Sequence, residues 1–404
     1  MQKFEKHSPV VVTEVTTKHE LRQFMQYPNR LYADNPNYIP SFYGDDLSDW
    51  TPGKNPAFDY CEARCWLARR DGEIVGRIGA ILSHKANDKF GTHRMRFSQV
   101  DFVDDSEVSA ALFGTVERWA REKGCDQVHG PLGFTDMDRE GMLVEGFDRR
   151  SLFFTNYNAP YYLEHLTRLG YRKDVDWIEY RITVPEPGGA EAERLHKLSE
   201  FILKRKHLHV ATVHHKSEYG PFVRQVFELV NAAYAPLYGV VELSDEQIER
   251  YANKFIPLVD PDFVCFVVDE QDQLVAFGVT ALDPSVALKH SDGRLFPFGW
   301  AGVLNDLHHG DTLIMLLTAV RPDLQTEGIN AVMMDHVCQS CNRHGVRFAE
   351  TGPMLELNDH ILAQWKRLEK EQHKRRRCFI KDLDHDVNAA NAAAAAAAEA
   401  ECAQ

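Results

Sequence analysis

The pattern of hydrophobic and polar positions predicts a mixed α/β protein. Apolar side chains recur at helical spacing across residues 106–123, and Gly124 is a residue suited to end that helix. Two apolar runs, 65–70 and 73–82, flank Asp71-Gly72, a residue pair that favours a type I′ hairpin turn. Short apolar runs and amphipathic segments continue to alternate along the chain, as expected where helices cover a sheet.

The same order of predicted elements occurs about twice. In the second half a helix at 221–235 precedes a hairpin built from 263–268 and 274–281, and a strand at 312–320 precedes a helix at 328–344. The first half has counterparts of these elements, and a Pro- and Gly-rich stretch separates the halves. The repeated order predicts an imperfect internal duplication of a mixed α/β domain.

Composition narrows the class of protein. The 404 residues suggest two or three domains at about 150 residues each, and 44% hydrophobic with 26% charged residues is typical of globular chains. A formal net charge of −14 disfavours a nucleic-acid partner. The longest apolar run is far shorter than the ~20 residues of a membrane-spanning helix, which leaves only peripheral membrane contact open. Eight scattered cysteines and a polar N-terminus favour the cytoplasm.

The most informative segment spans residues 316–331. A predicted strand ends at Val320, Pro322 lies in the following turn, and a helix begins near Gly328. Backbone N–H groups at such a helix N-terminus bind anions and suit a pyrophosphate. Taken alone, the pattern also describes an ordinary connection from a strand to a helix.

This segment resembles the coenzyme A loop of the GNAT N-acetyltransferase superfamily, Val-x-Pro-x-x-Arg/Gln-x-x-Gly-x-Gly/Ala. Val320, Pro322, Gln325 and Gly328 match in register, and Asn330 stands where the last Gly or Ala usually is. The resemblance implies a tandem GNAT-like acyltransferase fold, with mixed, mostly antiparallel sheets flanked by helices.

Further segments at 144–147, 260–264 and 293–300 are similar to a bacterial GNAT-like family whose members are mostly uncharacterised. The bacterial ceramide synthases, which N-acylate a long-chain amine, are distant relatives of that family. The similarity extends from Val11 to Leu383 and so covers nearly the whole chain.

The resemblance divides the chain into four parts. We expect a degenerate N-terminal GNAT-like domain at 10–185, a linker helix at 186–204, a C-terminal GNAT domain with the coenzyme A loop at 205–385, and an Ala-rich, disordered tail at 386–404. In the first half Asp104-Asp105 replaces the loop, and two carboxylates repel a pyrophosphate. The C-terminal half is therefore expected to bind coenzyme A.

The implied activity is a coenzyme A-dependent N-acyltransferase, in which an amine attacks the thioester of acetyl-CoA or a longer acyl-CoA directly, without a metal. The acceptor is a small-molecule or lipid amine, and the protein is a monomer or homodimer. Because the amine must lose a proton, a carboxylate is the expected base, with Glu350 and Glu356 as candidates. Trp365 stands where the superfamily commonly has a Tyr acid.

The resemblance also implies two sets of binding residues. The expected cofactor-binding residues lie in the loop and the elements beside it: Thr318, Val320, Gln325, Thr326, Glu327, Gly328, Ile329, Asn330, Ala331, Asn358 and Trp365. The candidate substrate-binding residues are polar and aromatic: Asn231, Tyr234, Tyr238, Phe296, Phe298 and Trp300.

Other interpretations stay open. Fem-type aminoacyl transferases also contain two GNAT-like halves, and Asn330 and Trp365 fit a non-catalytic ligand-binding protein on a decayed fold. Cys338 and Cys341 form a single Cys-x-x-Cys on a predicted helix, which favours helix packing over a metal site. The basic run 373–377 favours a solvated edge strand, with contact to the 3′-phosphate of coenzyme A or to a membrane surface as the alternatives. The polar segment 130–141 suggests a surface or functional loop.

Overall fold

The computed structural model describes residues 8–383, so the Ala-rich tail predicted at 386–404 lies outside the described residues. Within this range no helix has the length and apolar character needed to cross a membrane. The helices are α1 Lys18–Leu31, α2 Tyr43–Asp49, α3 His84–Phe90, α4 Ser106–Glu122, α5 Tyr161–Arg168, α6 Ala190–Lys206, α7 Gly220–Tyr234, α8 Asp245–Phe255, α9 Ser285–His290, α10 Gly299–His309, α11 Asn330–His344 and α12 Asp359–Ala363.

The described strands join one mixed sheet that runs through both halves of the chain. Their order is β1-β2-β3-β4-β5-β14-β7-β12-β11-β10-β9-β8, with β6 paired to β14 and β13 paired to β7. The strands are β1 Val11–Glu14, β2 Cys61–Arg70, β3 Glu73–Ser83, β4 Arg94–Phe102, β5 Gln127–Gly130, β6 Met142–Glu145, β7 Arg172–Thr183, β8 His209–Val210, β9 Val264–Val268, β10 Leu274–Leu282, β11 Thr312–Val320, β12 Phe348–Glu350, β13 Met354–Leu355 and β14 Lys370–Asp382.

The closing strands of the two halves are exchanged. Strand β14, from the end of the chain, lies between β5 and β7, and β7 lies between β14 and β12. The last strand of each half therefore pairs with a strand of the other half. The sheet does not divide at residue 185, and the predicted domain boundary there stays a prediction.

Local signals account for many element boundaries. Asp71 and Gly72 have φ of +51° and +85°, as a type I′ turn requires, which confirms the first hairpin. Ser244 and Gln247 form a capping box at the start of α8. Near the end of the described range, α12 ends at Ala363 and the chain enters β14 at Lys370.

The prediction of a solvated edge for the basic run 373–377 is wrong. Lys374 and Arg376 are 1% and 0% exposed, because they lie on the central strand β14. Both contact Glu179 of β7, which accepts hydrogen bonds from Arg376 Nε at 2.5 Å and from Lys374 Nζ at 3.1 Å. Burial would raise the pKa of Glu179, but the charges of Arg376 and Lys374 outweigh it and lower the pKa to about 2.

We expect Glu179→Ala to lower the free energy of unfolding by about 3–5 kcal/mol, because it leaves buried Arg376 without its carboxylate partner and leaves Lys374 with Glu350 alone. The matched control is Asp382→Ala on the same strand pair. Asp382 contacts Arg172 at 2.9 Å, and the two side chains are 60% and 55% exposed, so its loss should cost less than about 1 kcal/mol. Urea denaturation of the full chain measures both values, and equal losses would contradict this assignment.

Candidate functional site

The sheet opens beside β11. Strand β11 pairs with β12 only over Thr312–Ile314, and the two strands then diverge. On its other edge, the register with β10 shifts so that Val279 faces Leu317 and Thr280 faces Met315. Leu316 is therefore the extra residue of a β-bulge, and its backbone is left out of the regular ladder.

A cleft of about 670 Å³ fills this opening. Seven of the predicted binding residues line it: Thr318, Val320, Gln325, Asn330, Asn358, Tyr234 and Tyr238. They come from β11, from the loop that follows it, from α7 and the residues after it, and from the start of α12. The structure thus brings together predicted residues that are up to 124 positions apart in the sequence, from Tyr234 to Asn358.

The loop between β11 and α11 keeps its helix end open. Among the described residues, no side chain caps α11 at Ile329. The N–H groups of Ala331 and Val332 donate to Gly328 O and Ile329 O, each at 2.9 Å, so a ligand would meet the N–H groups that precede them. Gly328 has a φ of +81°, in the region that favours glycine. The Gln325 amide donates to Val320 O at 3.3 Å, and Glu327 pairs with Lys206 at 2.6 Å.

The N-terminus of α4, the counterpart of α11 in the first half, is capped by a side chain of the protein. The Asp105 carboxylate accepts hydrogen bonds from the backbone N–H groups of Glu107 at 2.8 Å and Val108 at 3.3 Å. It also contacts Arg70 at 2.5 Å, and Asp104 contacts His165 at 2.9 Å. A side-chain carboxylate therefore occupies the position at which an anion would bind.

A second cavity, which we call the chamber, has a volume of about 250 Å³ and adjoins the cleft at Tyr234. Leu316 and Leu317 of β11 form part of its wall. Most of the remaining lining is apolar and comes from α7, α8 and the strands beneath them: Val223, Val226, Phe227, Ala252, Phe255, Ile256, Val259, Val264, Phe266 and Val279.

Three carboxylates reach the chamber from the first half of the chain. Asp136, Asp138 and Glu140 belong to the loop between β5 and β6 and line one side of the chamber. Burial raises the pKa values of Asp136 and Asp138 to about 6. Burial also raises the pKa of Glu140 well above its ordinary value, and the charge of Asp136 adds to that effect. The sequence marked this segment only as a polar loop.

The two proposed bases lie elsewhere. Glu350 contacts Lys374 at 3.2 Å, and Glu356 contacts Lys173 and also Arg375 at 2.9 Å. Neither glutamate lines the cleft or the chamber. Their ion pairs hold both carboxylates on cationic side chains, and their catalytic role stays a prediction.

Several predicted cofactor-binding residues offer backbone rather than side chains. Ile329 and Ala331 are buried at 0% and 8% exposure, whereas Thr326 is exposed. Trp365 is buried and donates to Met354 Sδ at 3.2 Å. It lines a smaller apolar cavity of about 90 Å³, which shares Thr318 and Asn330 with the cleft.

The predicted acceptor residues separate into two groups. Tyr234 lines both cavities and donates to Thr318 O at 2.7 Å, whereas Asn231 bonds the backbone of Leu243. Phe296, Phe298 and Trp300 were expected to wall a pocket, but they are 80%, 81% and 46% exposed and line neither the cleft nor the chamber. Phe296 and Phe298 lie in the loop between α9 and α10, and Trp300 lies in the first turn of α10.

Tyr238 is the centre of a polar cluster between the halves. Its hydroxyl donates to Asp174 Oδ2 at 2.5 Å and lies 2.9 Å from His129 Nδ1 and 3.5 Å from Cys378 Sγ. Ligand atoms of His129, Asp174 and Cys378 lie within 4.8 Å of one another. The tyrosine satisfies these groups by hydrogen bonds, so the cluster holds the loop after α7 against β14.

Two known proteins have sequences similar to most of this chain. No family model matches the chain. It is 27% identical over 379 residues to Protein YghO of Escherichia coli K12, covering 92% of this chain and 95% of that protein. It is 28% identical over 300 residues to a bacterial ceramide synthase of Caulobacter vibrioides, covering 72% of this chain and 75% of that protein.

Solved structures show the same fold. A tandem GNAT protein from the clavulanic acid biosynthesis pathway superposes with a TM-score of 0.52 at 13% identity, covering 93% of this chain and 99% of its own. A GCN5-related N-acetyltransferase from Sphaerobacter thermophilus gives 0.50 at 12% identity, covering 93% of this chain and 96% of its own. The tandem GNAT-like fold expected from the sequence is confirmed.

We expect Asp136→Asn to raise the melting temperature by about 1–4 °C at pH 7.5. Burial raises the pKa of Asp136 from 3.8 to about 6, so the folded state carries a poorly solvated charge at neutral pH. This loss of stability becomes smaller as the pH falls from 6 towards 4, because the Asp136 carboxylate is protonated in the folded protein before it is protonated in the unfolded chain. The gain should therefore shrink over the same interval.

The control for this prediction is Asp148→Asn, because the Asp148 side chain is 83% exposed. Differential scanning calorimetry at several pH values measures both variants. A lower melting temperature for Asp136→Asn at pH 7.5 would contradict the assignment of an unpaired, poorly solvated carboxylate.

Proposed function

We propose that this protein is a coenzyme A-dependent N-acyltransferase that moves an acyl group from a thioester to an amine. The observation that carries the proposal is the continuity of three features: an open helix N-terminus, a cleft along the free edge of β11, and an apolar chamber that begins at the β11 bulge. Together they offer places for a pyrophosphate, an extended amide-containing arm and a hydrocarbon chain.

The loop residues 325–330 would hold the pyrophosphate through backbone N–H groups. The edge of β11 that β12 leaves unpaired after Ile314 can hydrogen-bond the amides of the pantetheine arm, as an added strand would. We assign the backbone N–H of Leu316 to the thioester oxygen, because the bulge frees it from the ladder and it borders the chamber.

The apolar chamber suggests that one of the two substrates has an aliphatic chain. Its lining carries few polar side chains. Each methylene group that a ligand buries there would contribute about 0.8 kcal/mol to the free energy of binding. The relationship to a bacterial ceramide synthase supports the same choice. We therefore propose an acyl-CoA with a lipid-like amine as the substrate pair, used in the cytoplasm. The seven described cysteines are free and buried, which accords with a reducing compartment.

We expect acetyl-CoA or octanoyl-CoA to raise the melting temperature of the wild-type chain and Gly328→Glu to abolish that shift. A carboxylate at position 328 repels the pyrophosphate at the helix end. Saturating ligand at about 100 times Kd contributes about 2.7 kcal/mol, which thermal unfolding readily detects.

The matched control is Gly345→Glu at the other end of α11. Gly345 has a φ of +70°, close to the +81° of Gly328, so both variants carry the same backbone strain. A Cβ at Gly345 meets nothing within 4 Å. This variant should keep the full coenzyme A shift. If neither thioester stabilises the wild type, the proposed function is wrong.

A further inference from the structure

The chamber contains two carboxylates that form no ion pair with any residue in the described part of the chain. Asp136 and Glu140 form no ion pair and no hydrogen bond with another residue in the range 8–383, and the charges acting on them come from more distant groups. A carboxylate in a largely apolar cavity is costly unless an opposite charge accompanies it. The missing charge is therefore expected on a ligand.

Nearby basic side chains are already engaged. Arg96 donates to the carbonyls of Gly133, Phe134 and Gly239 at 2.8, 3.3 and 3.0 Å. Lys89 donates to two other backbone carbonyls. Each of these cations is held by neutral oxygens, so neither is free to move to the chamber carboxylates.

The other cations beside the loop pair with different acids. Arg139 contacts Asp46 at 2.7 Å. Lys254 contacts Asp49 at 3.5 Å and Asp45 at 3.8 Å. Asp136 and Glu140 are thus left without a direct ion pair among the described residues, and the charge of Arg96 acts on them only from a distance.

An independent feature also points to a ligand in the chamber. Tyr219 lines the chamber and is 4% exposed. Its hydroxyl is buried and has no hydrogen-bond partner among the described residues. Buried polar groups of proteins are nearly always hydrogen-bonded, so this hydroxyl indicates that a polar group of a bound molecule completes the site.

The loop that carries the carboxylates is held firmly. Asp138 Oδ2 accepts hydrogen bonds from the backbone N–H groups of Phe134 at 2.8 Å and Thr135 at 3.2 Å. A Cβ on Gly133 would lie 2.2 Å from Asp138 Cβ, so only glycine allows this close turn. Asp138 therefore positions the loop, whereas Asp136 and Glu140 are left to meet a ligand.

We propose that Asp136 and Glu140, contributed by the N-terminal half, bind the acceptor of the acyl transfer as a primary ammonium ion and take its proton. The acyl donor in this inference rests on the proposed function, whereas the binding of the amine does not depend on it. It gives the half without a coenzyme A loop a direct part in the reaction.

The proton transfers balance. One carboxylate accepts a proton from the ammonium group, and the neutral amine attacks the acyl carbon of the thioester. The C–N bond forms as the C–S bond breaks. The nitrogen loses a second proton, which ends on the leaving sulfur, and the first proton passes from the carboxylic acid to solvent. The products are an amide, a free thiol and one proton.

Binding of octylamine and 1-octanol to the full chain, measured by calorimetry at pH 7.5 without any thioester, tests the inference. The two probes share the alkyl chain, but only the amine is cationic. We expect the double variant Asp136→Asn/Glu140→Gln to weaken octylamine binding about 10-fold or more, through loss of charge-assisted hydrogen bonds. Binding of 1-octanol should stay unchanged.

The control variant is Glu145→Gln, on the neighbouring strand, whose side chain is 60% exposed and pairs with Arg375 at 3.2 Å. It should bind both probes as the wild type does. Unchanged octylamine binding in the double variant, or an equal loss for both probes, would overturn the inference. Because neither replacement leaves a buried charge unpaired, we expect the double variant to fold, and its circular dichroism spectrum checks this.

The same samples separate this inference from the proposed function. If octanoyl-CoA stabilises the wild type but octylamine binds no better than 1-octanol, only the amine site is refuted. If octylamine binds through the two carboxylates but no thioester stabilises the chain, only the assignment of the acyl donor is refuted.

Discussion

The antiparallel pairing of β7 with β14 determines how the two halves of the chain meet. Glu179 on β7 and the pair Lys374 and Arg376 on β14 are nearly or fully buried between the halves. Such charges are stable in an interior only while all of them remain paired. Because β7 also carries β12, this pairing sets the position of the strand that diverges from β11 and opens the cleft. The site thus depends on contacts formed between segments far apart in the chain.

The two halves have the same arrangement of elements but different chemistry at the corresponding helix end. In the first half the Asp105 side chain caps α4 and supplies the negative charge itself. In the second half α11 has no side-chain cap among the described residues, and Gly328 allows the loop to turn beside it. One half therefore has the features of a phosphate-binding loop. The other contributes Asp136 and Glu140 to the chamber wall. In our proposal the first half holds the amine and the second half the thioester.

Local patterns predicted much of this fold and part of the site. The strand at 312–320 and the type I′ hairpin follow from residues that are neighbours in the chain, and the structure has both. The loop motif likewise led to Gln325 and Asn330, which line the cleft. The strand and the hairpin could be predicted because short-range periodicity and turn chemistry determine them. Cofactor binding by Gln325 and Asn330 stays a prediction.

Long-range pairing could not be predicted in the same way. A run of basic residues on β14 looks like a solvated edge until Glu179, nearly two hundred positions earlier, is known to face it. Trp365 is expected at the cofactor and Phe296 and Phe298 at the acceptor, yet Trp365 is buried and the two phenylalanines are exposed. The role of Asp136 depends on helices α7 and α8, which follow it much later in the chain.

The central claim is that one reaction site is assembled from both halves. A crystal structure of the full chain with a bisubstrate analogue, coenzyme A joined through its sulfur and an acyl spacer to octylamine, tests it most directly. We predict the pyrophosphate at residues 325–330, the arm along β11 and the nitrogen beside Asp136 and Glu140. A pyrophosphate bound near Asp105, or a nitrogen outside the chamber, would contradict the account.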